Sequence, residues 1–225
     1  MGGVSRGPTE REHPAQAAPS PALDLRGFPA RAMPAGTAVF RAHRTDRGPW
    51  WFGLDGGGRF DLEPPRGTCY LAETPLVAVR ERLGIVLGTQ RRVPAAVLDG
   101  VVVSRLGLVA AISVANLRST RAGGFGVLNE LSTMVPYDVP QAWARALGAA
   151  GFDGVRYPAR FSTGRAGSIA LFGLGGDRSS WPRDPGSVPA ADVQGAPVRR
   201  PSPRLRELTV VRTPRRRVGR ASRPR

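Results

Sequence analysis

Apolar residues occur along the chain in short alternating runs, a pattern typical of strands rather than of long helices. Residues 37–42 place Val39 and Arg41 on one face and Phe40 on the other, which predicts a first strand. Residues 67–72 predict a second strand. Other apolar runs interrupted by Gly predict two or three strands within 96–116 and one each at 153–157, 168–172 and 207–211.

Two segments have helical spacing and helix-boundary residues. The first has Thr74 as the cap and Pro75 at the first helical position, and it ends at Gly84. The second has Asp138 as the cap and continues to about Ala149. Strands thus outnumber helices, and the pattern predicts a mixed α+β domain built on a strand-rich sheet.

Composition changes abruptly at both ends of this patterned region. Residues 1–36 are rich in Pro, Ala, Gly and charged residues without periodicity, and we predict a disordered leader. The folded domain is predicted to span 37–176. Residues 177–225 form a Pro- and Arg-rich basic tail, predicted to be disordered apart from a possible strand at 207–211.

The charge of the chain is strongly positive and comes entirely from arginine. The 225 residues include 33 basic and 17 acidic ones, a formal net charge of +16, and no Lys occurs. The tail holds 13 Arg against 4 acidic residues, so it can attract polyanions and make weak, nonspecific nucleic-acid contacts. The abundant Gly, Pro and Ala are also typical of a GC-rich coding sequence, which favours Arg independently of function.

Several chemistries are excluded by the residues that are present. Cys69 is the single cysteine, so no intrachain disulfide and no Cys-rich metal site can form. His13 and His43 have no acidic or Cys partner at ligand spacing, and we expect no metal. The sequence contains no Walker A motif, dinucleotide-binding fingerprint or H-E-x-x-H motif. No run suits a signal peptide or a membrane span, so we expect a cytoplasmic protein without membrane contact.

The remaining candidates are Arg, Tyr and Glu side chains in one loop–strand–helix segment. Arg41 ends the first strand, and Arg59 follows three glycines, where guanidinium groups can bind a pyrophosphate through paired hydrogen bonds. Tyr70 lies in the second strand and can be either a cavity wall or a core-edge tyrosine. Glu81 is either a surface carboxylate or, if the Val77/Ala78 face of its helix meets the Tyr70 strand, a pocket carboxylate.

An ordered set of motifs from about Thr37 to Phe172 resembles the RES domain family. The matching pieces are Val39-Phe40-Arg41-Ala42, Gly58-Arg59-Phe60, the Gly67-to-Ala72 strand, the Thr-Pro helix with Ala78 and Glu81, and Gln141-Ala-Trp143-Ala144 followed by Gly151-x-Asp153-Gly154-x-x-Tyr157 and an apolar strand. The family is named for an Arg, a Glu and a Ser. Arg41 and Glu81 match the first two, whereas Ala159 occupies the expected Ser position and Ser162 lies three residues later.

The resemblance implies a fold similar to ADP-ribosyltransferases and an NAD-degrading toxin of a RES–Xre type toxin–antitoxin pair. NAD would be a substrate cleaved at the nicotinamide–ribosyl bond, with water or phosphate as acceptor and no cofactor. The resemblance implies that Glu81 and Arg41 are catalytic, that Arg41, Arg59, Tyr70 and Ser162 bind NAD, and that a helix-turn-helix, Xre-like antitoxin is a partner.

Three alternatives stay open from the sequence. Ala159 is compatible with a weakened RES domain kept as a binding module. An ADP-ribosyltransferase acting on a macromolecule would need the same residues. The basic tail alone suits a nucleic-acid-associated protein.

Overall fold

The computed structural model of the protein describes residues 15–182 and 186–200. Its strands are β1 Ala30–Met33, β2 Ala38–Arg44, β3 Trp51–Phe52, β4 Arg66–Ala72, β5 Val93–Pro94, β6 Val101–Gly107, β7 Ile112–Asn116, β8 Gly154–Pro158, β9 Gly167–Leu174, β10 Gly176–Asp177, β11 Val188–Pro189 and β12 Val198–Arg199. The α-helices are α1 Pro75–Leu83, α2 Val86–Thr89 and α3 Asp138–Ala149, and 3₁₀ turns cover Ala95–Leu98, Thr120–Phe125, Asn129–Ser132 and Ala190–Asp192. The predicted α+β, strand-rich class is confirmed.

Eight strands form one sheet in the order β1-β7-β8-β9-β4-β2-β6-β11. Neighbours are antiparallel except for the parallel pair β7–β8. Strands β4 and β9 pair along seven positions, from Arg66 opposite Leu174 to Ala72 opposite Ser168. Strands β2 and β4 share only the pair Phe40–Ala72. The sheet therefore opens between β2 and β4, and this gap becomes one wall of the site described below.

Helix α1 has the bounds that its capping residues predict. The Thr74 hydroxyl accepts a hydrogen bond from the Val77 amide at 3.3 Å, and Pro75 occupies the first turn, where no amide hydrogen is needed. Gly84 ends the helix with a φ of 53°, a conformation that favours glycine. Val77, Ala78, Val79 and Leu83 are buried.

Helix α3 also forms as predicted, but its cap differs. Asp138 is the first residue of the helix, Tyr137 is the N-cap, and no side chain makes a capping hydrogen bond there. The prediction of Asp138 as the cap is therefore wrong by one position, although a carboxylate in the first turn still suits the helix dipole. The buried face carries Trp143, Ala144 and Leu147, which belong to an apolar cluster with Phe60 and Tyr157.

The segment predicted as a disordered leader is ordered from residue 15. Strand β1 adds an edge to the sheet by pairing with β7. Gln16 is buried; its side chain donates to the Gly126 carbonyl at 3.1 Å and accepts from the Leu128 amide at 2.7 Å. The indole of Trp143 donates to the Ala17 carbonyl at 2.9 Å. These contacts correct the prediction for 15–36, because they hold the segment against the core.

The first part of the predicted tail is likewise packed. Strand β11 pairs with β6, β12 pairs with β5, and Ala190 between them is fully buried. The prediction of an unfolded tail from residue 177 is therefore wrong for the described part. The predicted strand at 207–211 lies outside the described residues. Within 15–182 and 186–200, no helix is long and apolar enough to cross a membrane.

Candidate functional site

A cavity of about 350 Å³ lies where β2 and β4 separate. Its walls come from β2, the glycine-rich loop before β4, β4 itself, helix α1, and the segment that joins β8 to β9. The lining residues are Phe40, Arg41, Ala42, Gly58, Arg59, Tyr70, Leu71, Ala72, Ala78, Glu81, Arg82, Tyr137, Tyr157, Arg160, Phe161 and Ser168.

The cavity brings together most of the candidate residues from the sequence. Arg41, Arg59, Tyr70 and Glu81 all line it, whereas Ser162 does not. Glu81 is thus a pocket carboxylate rather than a surface one, because the Ala78 face of α1 shares the cavity with the strand that carries Tyr70. The chemical roles assigned to these residues stay predictions.

Glu81 is held in a defined orientation by the main chain. Its Oε1 accepts a hydrogen bond from the Phe161 amide at 2.9 Å. Burial raises the pKa of Glu81, while this hydrogen bond and the charges of Arg59 and Arg160 oppose that rise. None of the ion pairs among the described residues involves Glu81. Its second oxygen can therefore face a ligand.

Arg59 is presented to the cavity by a tightly held turn. The side-chain amide of Gln141, on α3, donates hydrogen bonds to the carbonyls of Gly56 and Gly58, both at 2.9 Å. Arg59 is 7% exposed, donates through Nη1 to the Met134 carbonyl, and has its guanidinium carbon 4.8 Å from the centre of the Tyr137 ring. Burial lowers the pKa of Arg59. The motif residues Gln141 and Gly58 thus fix a buried cation at the cavity.

Tyr70 and Asp61 clasp the other side of this turn. The Tyr70 hydroxyl donates to Asp61 Oδ1 at 2.7 Å and accepts from the Phe60 amide at 2.9 Å, and Asp61 Oδ2 accepts from the Gly58 amide at 2.7 Å. A Cβ at position 58 would lie 2.3 Å from the Tyr70 oxygen, so only glycine fits there. The Tyr70 hydroxyl is therefore occupied by hydrogen bonds within the protein, and the ring is the part of Tyr70 that can contact a ligand.

Asp61 is a site-supporting residue that the sequence reasoning missed. It is 4% exposed, and burial raises its pKa against the opposing hydrogen bonds from Tyr70 and the Gly58 amide. Its position directly after Gly58-Arg59-Phe60 was the available signal. The Asp61 carboxylate accepts a hydrogen bond from the Gly58 amide, three residues earlier, and so closes the turn.

One nitrogen of the Arg41 guanidinium contacts the protein, and the others are available to the cavity. Its Nη1 lies 2.8 Å from the Pro49 carbonyl, 2.7 Å from the Trp51 carbonyl and 2.9 Å from the Cys69 sulfur. These contacts bridge the gap between β2 and β4 and hold the 49–51 segment. Among the hydrogen bonds of the described residues Arg41 uses only Nη1, so its other nitrogens can bind an anion.

The floor of the cavity is made by paired positions of three strands. Ser168 on β9 lies opposite Ala72 on β4 and opposite Tyr157 on β8, so the three side chains share one face of the sheet. Ser168 is 1% exposed, and its Oγ has no hydrogen-bond partner among the described residues.

The two serine positions considered from the sequence lie elsewhere. Ala159 is 7% exposed and belongs to the apolar cluster of α1 that includes Val77 and Ala78. Ser162 has a buried hydroxyl without a partner among the described residues, but it is not part of the cavity lining. The assignment of Ser162 to substrate binding is therefore not supported by its position.

Arginines provide the charge of the cavity and of the pocket beside it. Arg160 and Arg82 join Arg41 and Arg59 in the lining. An adjoining pocket of about 290 Å³ shares Arg41, Ala42 and Arg82 with the cavity and adds His43, Arg44, Arg47, Gly48 and Trp51. The two pockets therefore share a wall, and arginines line both of them.

A partly buried ion pair anchors the start of β9. Glu73 Oε1 accepts from Arg156 Nε at 2.5 Å, Oε2 accepts from Arg156 Nη2 at 3.0 Å, and Oε2 also accepts from the Gly167 amide at 2.7 Å. Burial opposes ionisation of Glu73, but these bonds and the charge of Arg118 outweigh it and lower its pKa. The pair fixes the residue before Ser168.

Comparisons with known proteins agree with this architecture. The family model for the RES domain matches residues 38–215. The fold is similar to that of a chain in the crystal structure of the M. tuberculosis MbcT–MbcA toxin–antitoxin complex, with a TM-score of 0.53 and 15% identity, covering 70% of this chain and 85% of that one. At that identity the likeness shows the fold alone. Among curated proteins, none matches the sequence significantly.

Proposed function

The chain belongs to the RES domain family, and we propose that it binds NAD and degrades it by cleaving the nicotinamide–ribosyl bond, with water or phosphate as acceptor. One observation carries this proposal. A single cavity contains one oriented carboxylate, Glu81, together with four guanidinium groups and the rings of three tyrosines.

The carboxylate suits the charge that develops when nicotinamide leaves. Departure of the base produces an oxocarbenium-like ribose, and a negative group fixed beside it lowers the energy of that state. Because Glu81 is anchored through Oε1 by the Phe161 amide, Oε2 can face the ribose without reorganisation. Burial raises the pKa of Glu81, and the charges of Arg59 and Arg160 oppose that rise and favour the ionised form that this role needs.

The cations and aromatic rings suit the rest of the substrate. A guanidinium binds a pyrophosphate through paired, charge-assisted hydrogen bonds, and Arg41, Arg59, Arg82 and Arg160 all reach the cavity. Tyr70 and Tyr157 present ring surface to a flat group such as nicotinamide, while the Tyr70 hydroxyl stays bound to Asp61.

Nicotinamide release from NAD by the purified protein tests the proposal. Glu81→Gln keeps the size of the side chain and removes its charge, so kcat should fall about 100-fold or more. The control is Glu63→Gln, because Glu63 is exposed and pairs only with Arg145 at the surface. Turnover should persist in this control.

The product identifies the acceptor. ADP-ribose formed without phosphate indicates water, whereas a phosphorylated ADP-ribose formed with added phosphate indicates phosphorolysis. Label from NAD that appears in protein or nucleic acid would instead support transfer to a macromolecule. A folded protein that neither binds NAD nor releases nicotinamide would show that the proposal is wrong.

A toxin role and an antitoxin partner are a second part of the proposal. They rest on the family and on the structural neighbour, whose complex is named as toxin–antitoxin. An Xre-like, helix-turn-helix protein that blocks the cavity would be the expected partner. Expression of the wild-type chain should arrest growth and expression of Glu81→Gln should not, and equal growth of both strains would contradict this part.

A further inference from the structure

Ser168 lines the strand floor of the cavity, and its buried hydroxyl makes no hydrogen bond within the described residues. It is 1% exposed, and its Oγ has no partner there. A buried hydroxyl without a partner destabilises a fold by about 1–3 kcal/mol. Such a group in a native fold needs an explanation, and a ligand bound in the cavity that Ser168 lines would supply one.

The strand register directs this hydroxyl into the cavity. Its partners across β4 and β8 are Ala72 and Tyr157, and all three residues line the cavity. The preceding backbone is fixed by the bond from the Gly167 amide to Glu73, which limits movement of the strand.

We propose that Ser168 is a substrate-contacting residue whose hydroxyl donates a hydrogen bond to a ribose or phosphate oxygen of the bound dinucleotide. It takes the place of the serine that the RES motif locates at position 159, where this chain has Ala159. This inference rests on the proposed NAD-cleaving function and adds one residue to it. The Tyr157 hydroxyl, on the strand next to Ser168, keeps its proton because burial and then the charge of Glu81 raise its pKa.

Neither position 159 nor Ser162 is placed to present a hydroxyl to the cavity. Ala159 lies in the apolar cluster of α1, so a hydroxyl placed there would be buried among aliphatic groups. Ser162 lies outside the cavity lining. Ser168 is therefore the serine whose geometry suits the role.

Steady-state kinetics of Ser168→Ala with NAD test the inference. Loss of one hydrogen bond to a charged or developing-charge group should lower kcat/KM about 10- to 100-fold. Ser168→Cys keeps a similar shape but donates only weakly, so it should show a comparable loss. Ser132→Ala is the control, because Ser132 is 2% exposed but lies outside the cavity lining.

The melting temperature distinguishes a ligand-contacting role of Ser168 from a structural role. Removing an unpartnered buried hydroxyl should leave the melting temperature of Ser168→Ala equal to or above that of the wild type. A drop in activity with unchanged or higher stability supports a ligand contact. A drop in both would mean that Ser168 supports the fold, and it would overturn the inference.

The remaining outcomes separate this inference from the proposed function. If the wild type cleaves NAD and Ser168→Ala cleaves it equally well, the inference is wrong and the function stands. If Ser162→Ala loses activity while Ser168→Ala keeps it, the motif serine is Ser162 and the inference is again wrong. If the folded wild type neither binds nor cleaves NAD, the function itself fails and the inference fails with it.

Discussion

Replacing Tyr70 by Phe tests whether its hydroxyl holds the Arg59 turn, as the structure indicates. The variant loses the 2.7 Å bond to Asp61 and the 2.9 Å bond from the Phe60 amide. A hydrogen bond to a charged group contributes about 1.5–3 kcal/mol, and an orphaned buried amide costs about 1–3 kcal/mol. Asp61 keeps its bond from Gly58, which limits the damage. We expect a loss of about 3 kcal/mol in the free energy of unfolding.

Urea denaturation followed by tryptophan fluorescence measures this loss. For a domain of this size, about 3 kcal/mol corresponds to a fall in melting temperature of roughly 6–12 °C. Tyr137→Phe is the control, since it removes a hydroxyl from the same cavity outside the clasp. If Tyr70→Phe unfolds at the same urea concentration as the wild type, Tyr70 does not hold the turn and its hydroxyl is free for a ligand.

The pH dependence of the difference gives an independent check. The Tyr70 bond lowers the pKa of Asp61 against the rise caused by burial, so its loss raises that pKa further. A carboxyl group whose pKa is raised in the folded state destabilises the fold at pH values where the group is ionised. This destabilisation disappears as the pH falls and the group is protonated. The wild type should therefore exceed the variant in stability most clearly at neutral pH and less so at acidic pH. A gap that widens on acidification would refute this electrostatic argument.

Two further predictions follow from the charges around the site. Glu73→Gln should lose less stability on acidification than the wild type does. The lowered pKa of Glu73 gives stability that is present above the unfolded pKa, near 4.3, and is lost as the pH falls through the folded pKa. An acid-unfolding curve of the variant that runs parallel to that of the wild type would contradict this. Arg47→Ala tests whether the adenylate half of NAD binds in the adjoining pocket, which Arg47 lines. If it does, the variant should raise KM for NAD roughly two- to fivefold, in a salt-sensitive way, and leave KM for nicotinamide mononucleotide unchanged, with exposed Arg121→Ala as control. Equal effects on both substrates would show that the adenylate half binds elsewhere.

Local signals in the sequence were sufficient for the elements that position Glu81. Thr74, Pro75 and Gly84 define α1 because caps act within a few residues. The placement of Glu81 beside Tyr70 depended on tertiary packing, which periodicity left open and family resemblance favoured. Helix dipole and capping rules give the helix, but not the surface against which it packs.

Contacts between distant parts of the chain could not be predicted. Strand β1 pairs with β7 about eighty residues later, and β11 with β6 at a similar distance, and both short strands lie in Pro- and Ala-rich sequence. Ser168 faces the cavity only because three strands align in one register. A shift by one residue would turn it to the other face, so its role is invisible in a single strand.

The contact between Arg41 and Cys69 lies where β2 and β4 separate, which we call the seam of the sheet. This contact allows the opening of the seam to be measured. Cys69 is the single cysteine of the chain, is fully buried, and lies against the Arg41 guanidinium. The thiol is fully buried and burial also raises its pKa, so we expect an alkylating reagent to reach it only after local opening around β4. Its labelling rate in native buffer therefore reports the free energy of that local opening. A ligand that binds Arg41 and closes the seam will slow the labelling, whether or not it is ever cleaved.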